Sequence, residues 1–312
     1  MATTYAETPD NYSEIEEIVV TDIDEIKSIF FRTDQVLFYD ACSFQRHSNL
    51  NEKEKRILIR YFESRGIAIF LTRCVLMELS GENHVLKRQL IEYINELKNF
   101  GVKVILFDEE CTYNILSDCF STIESVNDYL MWAVRMAKRP TGTITDTLKL
   151  NNKLNSELVE GKNLKASDLY QRFFSTVRSN KEHEDNLGEE LISICAYILS
   201  YLPGIPDGKL CALTDDKGAA SHIDSVVKKT KQEYRGSRFI LFSTPKLIQH
   251  MYREGVELSE DEIVNVLSQG ISENIVIMGI TEYDLTVNDR ISLSCRELAQ
   301  NIMQSNGIKI VF

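Results

Sequence analysis

VLFYD (36–40), IAIFL (67–71) and VKVILF (102–107) are three short runs that are apolar almost throughout. Between them lie NEKEKRILIRYFESR (51–65) before Gly66, TRCVLMELSG (72–81) ending on Gly81, and a stretch over 83–99 before Gly101. Runs of four to six apolar residues suit strands buried on both faces, whereas charged residues mixed with apolar ones at a spacing near 3.6 suit covering helices. Each glycine falls where a helix end needs a residue free to take positive φ. Strand and helix therefore alternate, which predicts an α/β domain: three-layer α/β/α, with a mostly parallel sheet.

Moving outward, the alternation pauses. Residues 109–202 carry no strand signal but read as helices over 121–138, 143–156, 164–180 and 186–202, the first two parted by Pro140-Thr141-Gly142. This predicts a helical insertion at about 110–185. Alternation resumes with KLCALT (209–214), a helix over 217–232 and RFILFS (238–243), then helices from Pro245 and from about Ser259. NIVIMGI (274–280), a helix over 288–304 and a closing strand IKIVF complete the pattern. The expected organisation is an acidic N-terminal segment at 1–33, a domain at 34–268 holding the insertion, and a C-terminal α/β extension at 269–312 packed on it.

A chain of 312 residues, 43% hydrophobic and 26% charged, has globular composition and enough length for a full core. No apolar run approaches the roughly 20 residues of a membrane span. The start, MATTYAETPDNYSEIEE, has neither the basic nor the apolar part of a secretory leader. Seven cysteines (42, 74, 111, 119, 195, 211, 295) are scattered without a C-x-x-C pair. That pattern argues against zinc and disulfides and for reduced thiols in the cytoplasm.

A net charge of −12 opposes a polyanionic partner, but the charge is uneven. Residues 1–30 hold eight acids and one lysine; residues 132–181 hold ten Lys and Arg against four acids, and 227–238 five against one. Such runs are either solvated helix faces or places where phosphate docks.

Three acidic positions fall where a parallel sheet gathers its ligands, and a fourth, Glu78, projects toward them if its helix packs as the spacing suggests. Asp40 ends a strand, Glu78 lies on the helix after the second strand, and Glu189 with Glu190 opens a helix in NLGEELISICAYIL. Asp215 and Asp216 follow a strand in CALTDDKGAA. Strand C-termini and helix N-termini share one edge of such a sheet. Carboxylates crowded there repel unless a cation intervenes, and oxygen donors without His or Cys suit Mg²⁺ or Mn²⁺. Such ions activate water for displacement at phosphorus. No G-x-S-x-G, Cys–His pair or H-E-x-x-H offers a side-chain nucleophile or a zinc site.

In these motifs and their order the chain resembles the PIN-domain nucleases, whose pattern is an Asp ending the first strand, a Glu on a following helix, a "GE" acid opening a later helix, and T-x-D after the fourth strand. VLFYDACSF matches with Asp40 and Cys42, LTRCVLMELSG with Glu78, LGEELIS with Glu189, and LTDDKGAA with Asp215 or Asp216, which the pattern leaves unseparated. TPKLIQHMYREGVELSEDEI looks like the tail after the fifth strand. The likeness covers about 34–110 and 185–268. It implies a Mg²⁺- or Mn²⁺-dependent hydrolase with Asp40, Glu78, Glu189, Asp215 and Asp216 as catalytic metal ligands. RNA is the implied partner ahead of DNA, and a toxin held by an inhibitory protein, a processing enzyme or a defence nuclease all fit. Cys42 stands where Asn or Ser is commoner, the Glu78-to-Glu189 gap is long, and 270–312 lies outside the pattern.

Each acid also has a plain structural role open to it: Asp40 in an Asx turn, Glu78 on a solvated face, Glu189 at a helix dipole, Asp215 as an N-cap. A haloacid-dehalogenase-type phosphatase is a rival reading, through D-x-D at Asp22 and Asp24, although those residues also suit the cap of the helix DIDEIKSIFF. A PIN-like scaffold that binds RNA or protein without cutting is another. For substrate contacts the candidates are Arg46, His47, Lys138, Arg139, Lys149 and Lys153. Trp132, Tyr170, Phe173 and Phe174 are either base-stacking or core residues.

Overall fold

The computed structural model describes residues 5–233, 236–269, 274–280, 289–304 and 307–312, with the side chains of 228–233 and 289 excepted. Five strands, β1 (Gln35–Tyr39), β2 (Ile67–Thr72), β3 (Val104–Phe107), β4 (Leu210–Leu213) and β5 (Ile240–Phe242), form one sheet in the order β3-β2-β1-β4-β5. Every pairing is parallel, with Val36 beside Ala68 on one side and Leu210 on the other. Helices flank both faces, giving the expected three-layer α/β/α architecture. Phe38, Phe70 and Phe107 pack across neighbouring strands with centroids 5.6 Å and 4.9 Å apart. Each is fully buried, worth about 2 kcal/mol apiece.

Ahead of β2 come α1 (Ile23–Arg32), α2 (Ala41–Ser48) and α3 (Glu52–Ser64); α4 (Arg73–Ser80) and α5 (Arg88–Asn99) lead to β3. Gly66, Gly81 and Gly101 take φ of 58°, 62° and 89° at the helix ends, as their positions predict. Among the described residues none between Phe107 and Leu210 is in a strand. That span is α6 (Cys111–Ser117), α7 (Ile123–Ala137), α8 (Thr143–Leu150), α9 (Asn152–Leu158), α10 (Leu169–Arg178) and α11 (Leu187–Ser200). The helix expected over 143–156 is two, because the Asn151 side chain accepts from Leu154 N and starts a second helix. After β4 follow α12 (Lys217–Glu233), β5, α13 (Thr244–Arg253) and α14 (Glu260–Ser268).

The extension departs from expectation. Instead of adding to the main sheet, β6 (Asn274–Ile280), β7 (Asp289–Ser294) and β8 (Lys309–Ile310) make a separate antiparallel sheet. The helix predicted over 288–304 begins only at α15 (Cys295–Met303). Ile291 and Leu293 alternate at strand spacing and pair with β6, and a capping box between Ser294 and Glu297 opens the helix after them.

The acidic N-terminal segment is built into the domain. Val20 joins the outer edge of β3, donating to Val104 O and accepting from Leu106 N. Asp22 caps α1, taking the amides of Asp24 and Glu25, so the D-x-D pair terminates a helix as its spacing allowed. Arg178, only 2% exposed, binds the carboxylates of Glu7, Glu109 and Glu110 and ties this segment to the insertion. All seven cysteines are free. No described helix is long and apolar enough to cross a membrane.

Candidate active site

Strand order reverses between β1 and β4, so the helices leaving their C-terminal ends diverge and open a crevice there. Asp40 sits at the end of β1 and is 7% exposed. Its Oδ2 accepts from Thr214 Oγ1 at 2.7 Å and from the Cys42 thiol at 2.9 Å. Burial raises the Asp40 carboxyl, those two donors work against the rise, and nearby Asp216 adds to it.

Glu78, in the last turn of α4, meets the Lys181 ammonium at 3.1 Å. A Cβ on Gly188, in the first turn of α11, would lie 2.8 Å from Glu78 Oε1, so a glycine there lets α11 close on this carboxylate. Burial pushes Glu78 up to about 7, Lys181 opposes it and Asp40 adds to it. Glu189, one residue along α11, pairs with Arg139 at 3.1 Å. Burial pushes it to about 8, with Arg139 opposing and both Asp40 and Glu78 adding. Asp216 Oδ1 accepts from Ala219 N at 2.9 Å and caps α12, while its own amide donates to Thr214 Oγ1. Asp40, Glu78, Glu189 and Asp216 thus come from four separate elements into one field of mutual repulsion.

Asp215 leaves that group. Its Oδ1 accepts from Thr244 N at 2.7 Å, and its Oδ2 from Thr244 Oγ1 at 2.6 Å and Arg46 at 3.1 Å. Burial works to raise this carboxyl too, but Arg46, His47 and Thr244 together hold it below the usual range. Every oxygen has donors, so Asp215 joins α2 to α13 and is corrected from metal ligand to structural anchor. Glu190 also turns inward: it is fully buried, accepts from Ile144 N at 3.2 Å, and is pushed to about 7 by burial.

The expected substrate contacts fare unevenly. His47 lies on a helix and is wholly buried, which removes it from substrate. Thr244 spends its hydroxyl proton on Asp215, so it accepts from His47 Nε2 at 2.9 Å, and His47 Nδ1 is left to accept from Tyr39. Burial holds this neutral imidazole down to about 4. Arg46 is spent on Asp215 and the Leu267 carbonyl. Arg139 faces Glu189 and His222 inside the site. Lys138, Lys149 and Lys153 are exposed, Lys149 pairing with Asp146 at the surface. Much of the positive charge over 132–181 is engaged internally, Arg172 with Glu157 and Asp168, Arg178 and Lys181 with acids named above. For the basic stretch at 227–238, the side chains of 228–235 lie outside the described residues. Tyr170, Phe173 and Phe174 are core, whereas Trp132 is 36% exposed with Arg135 over its ring at 5.0 Å.

Three contributors escaped the sequence reading. Lys181 was only one base in a run, Asp185 was unremarked, and Thr214 was merely the letter before the acid pair. Asp185 binds Lys181, Thr143 and the amides of Glu182 and Leu187, so it fixes the entry to α11 against the insertion. Among the described residues no group of three or more His, Cys, Asp or Glu is arranged to hold a metal ion, because Glu78 and Glu189 are drawn onto Lys181 and Arg139. Where the motifs predict a metal-ligand cluster, the structure has an acid field that two internal cations offset only in part. No protein-family model, no curated protein and no solved structure matches this chain.

Proposed function

We propose that the chain is a Mg²⁺- or Mn²⁺-dependent nuclease that hydrolyses phosphodiester bonds, RNA being the preferred substrate. The observation that carries this is the gathering of Asp40, Glu78, Glu189 and Asp216 at the strand-order reversal, where burial and mutual repulsion raise Asp40, Glu78 and Glu189. An excess of buried acid costs stability, and folds keep it mainly where chemistry needs it. By composition the four acids suit a hard divalent ion, all oxygen with no sulfur or imidazole among them, and to converge on one, Glu78 and Glu189 would have to leave Lys181 and Arg139. Asp40, Glu78, Glu189 and Asp216 would hold it, and when bound it would supply an activated water and neutralise charge on the phosphate. Thr214 and Cys42 fix the Asp40 carboxylate from behind. Lys181 and Arg139, already at the acids, are the cations placed to meet the phosphate's negative charge.

The same two cations favour a second reading. Carboxylates paired with Lys181 and Arg139 could serve a scaffold that binds nucleic acid or protein without cutting. The test is fluorophore-labelled single-stranded RNA incubated with the protein in Mg²⁺, Mn²⁺ or EDTA. Ion-dependent cleavage, lost in Asp40→Asn, supports the nuclease. Absence of cleavage of RNA and DNA in both ions sinks it and leaves the scaffold.

A further inference from the structure

A cavity of about 730 Å³ lies along the free edge of the main sheet, between α12, β5 and the small antiparallel sheet. This is within the roughly 300–1,000 Å³ that small-molecule sites occupy. Ile223 on α12 and Phe239 before β5 supply one apolar wall, and Met278, Val311 and Phe312 of the extension supply the other. Among the described residues four cations reach the cavity, Lys217, Arg238, Lys246 and Arg290, against one acidic side chain, Asp224.

Among the described residues the cations are poorly matched. Lys217, Arg238 and Arg290 have no carboxylate partner among the described residues. The Lys246 ammonium donates to Leu241 O at 2.6 Å, and burial, together with Arg238, holds it below its ordinary range, Asp224 opposing. An apolar slot edged by excess positive charge is complementary to a molecule with an apolar body and an anionic end. Four cations exceed what one carboxylate requires and suit a phosphate, which carries close to two charges and several acceptors. Phenylalanine and methionine walls accept a flat ring.

We infer that this cavity is a binding site for a nucleoside phosphate, the base between the apolar walls and the phosphate among Arg238, Lys246 and Arg290. The free nucleotide and the phosphorylated end of an RNA share this chemistry. The site does not depend on the nuclease reading, since it uses none of the acids.

The test is titration of the full chain, in EDTA, with the fluorescent probe 2′/3′-O-(N-methylanthraniloyl)-ADP. Saturable binding is expected, displaced by ADP in one arm or by a 5′-phosphorylated tetranucleotide in another, which tells the two sources apart. Arg238→Glu with Arg290→Glu should weaken binding at least tenfold at unchanged melting temperature, and Ser221→Trp should obstruct the cavity. Arg88→Ala, on the exposed face of α5, should change nothing. No saturable binding at millimolar probe, equal affinity in the double variant, or displacement by decanoate but not by ADP would each overturn the assignment.

Discussion

Two acids stand side by side after β4 and meet opposite surroundings. Asp215 turns toward α2 and α13, where Arg46 and both donors of Thr244 take its oxygens. Asp216 turns to the crevice that holds Asp40, Glu78 and Glu189, acids that push one another's protons on. Burial raises Asp40, Glu78 and Glu189, and it works to raise Asp215 as well. What differs is the count of donors against the count of other acids: near Asp215 the donors win, and in the crevice Lys181 and Arg139 do not suffice. The first arrangement locks two helices together, and the second stores negative charge that a cation could relieve.

The sharpest way to break this contrast is substitution of one acid from each region. Asp40→Asn and Glu78→Gln should lower RNA cleavage more than about 100-fold, with a melting temperature unchanged or higher because a repelling charge is gone. Asp215→Asn should do the reverse, costing about 3 kcal/mol as Arg46 loses its buried partner, while folded molecules keep their rate. Loss of cleavage in Asp215→Asn at unchanged melting temperature would overturn the division.

The pH dependence of stability should separate the regions again. Glu78 and Glu189 have folded values raised to about 7 and about 8, so the folded state binds their protons more tightly than the unfolded chain. Without divalent ions, stability is then greatest below about pH 5 for these groups and is lost as pH rises to about 8, by at most about 3 kcal/mol through Glu78 and about 5 kcal/mol through Glu189. Mg²⁺ should flatten that slope. His47, held down to about 4, has the opposite sign: the unfolded state takes its proton first, and stability falls as pH drops from about 6.5 to about 4. Thermal melts across pH 4–9 with and without Mg²⁺ read both slopes. A Mg²⁺-insensitive alkaline limb would sink the cation's role in the crevice.

A smaller effect is expected where α11 meets Glu78. Gly188→Ala sets a methyl 2.8 Å from Glu78 Oε1, so the carboxylate must shift, at about 1 kcal/mol of stability in denaturant melts. Cleavage should fall more than stability does; unaltered cleavage would show that the position of Glu78 is not critical. The least consequence belongs to the surface. Lys149 pairs with Asp146 while both are 63% exposed, so Lys149→Glu should change stability by less than about 0.5 kcal/mol. Reversing Lys138, Lys149 and Lys153 together should flatten the salt dependence of RNA binding without altering the chemical step. Unchanged binding would place the nucleic acid elsewhere.

Local patterning determined much of this protein. Apolar runs at 36–39, 67–71 and 102–107 could only be interior strands, glycines at 66, 81 and 101 ended helices, and the placement of Asp40 and Glu189 was legible because strand ends and helix starts share an edge. Periodicity and caps act within a few residues, so the chain displays them directly. Tertiary structure decided the rest. Asp215 and Asp216 are indistinguishable as letters and are parted only by Thr244, far along the chain. His47 is a candidate substrate contact in the sequence until α13 buries it, and Lys181 is one base in a charged run until α11 sets it on Glu78. The strand at 289–294 resembled a helix start until β6 offered its backbone as partner. For the side chains the deciding partner is remote in sequence, for the strand it is the preceding strand, and a side chain's charge state and a strand's pairing depend on what is folded against them.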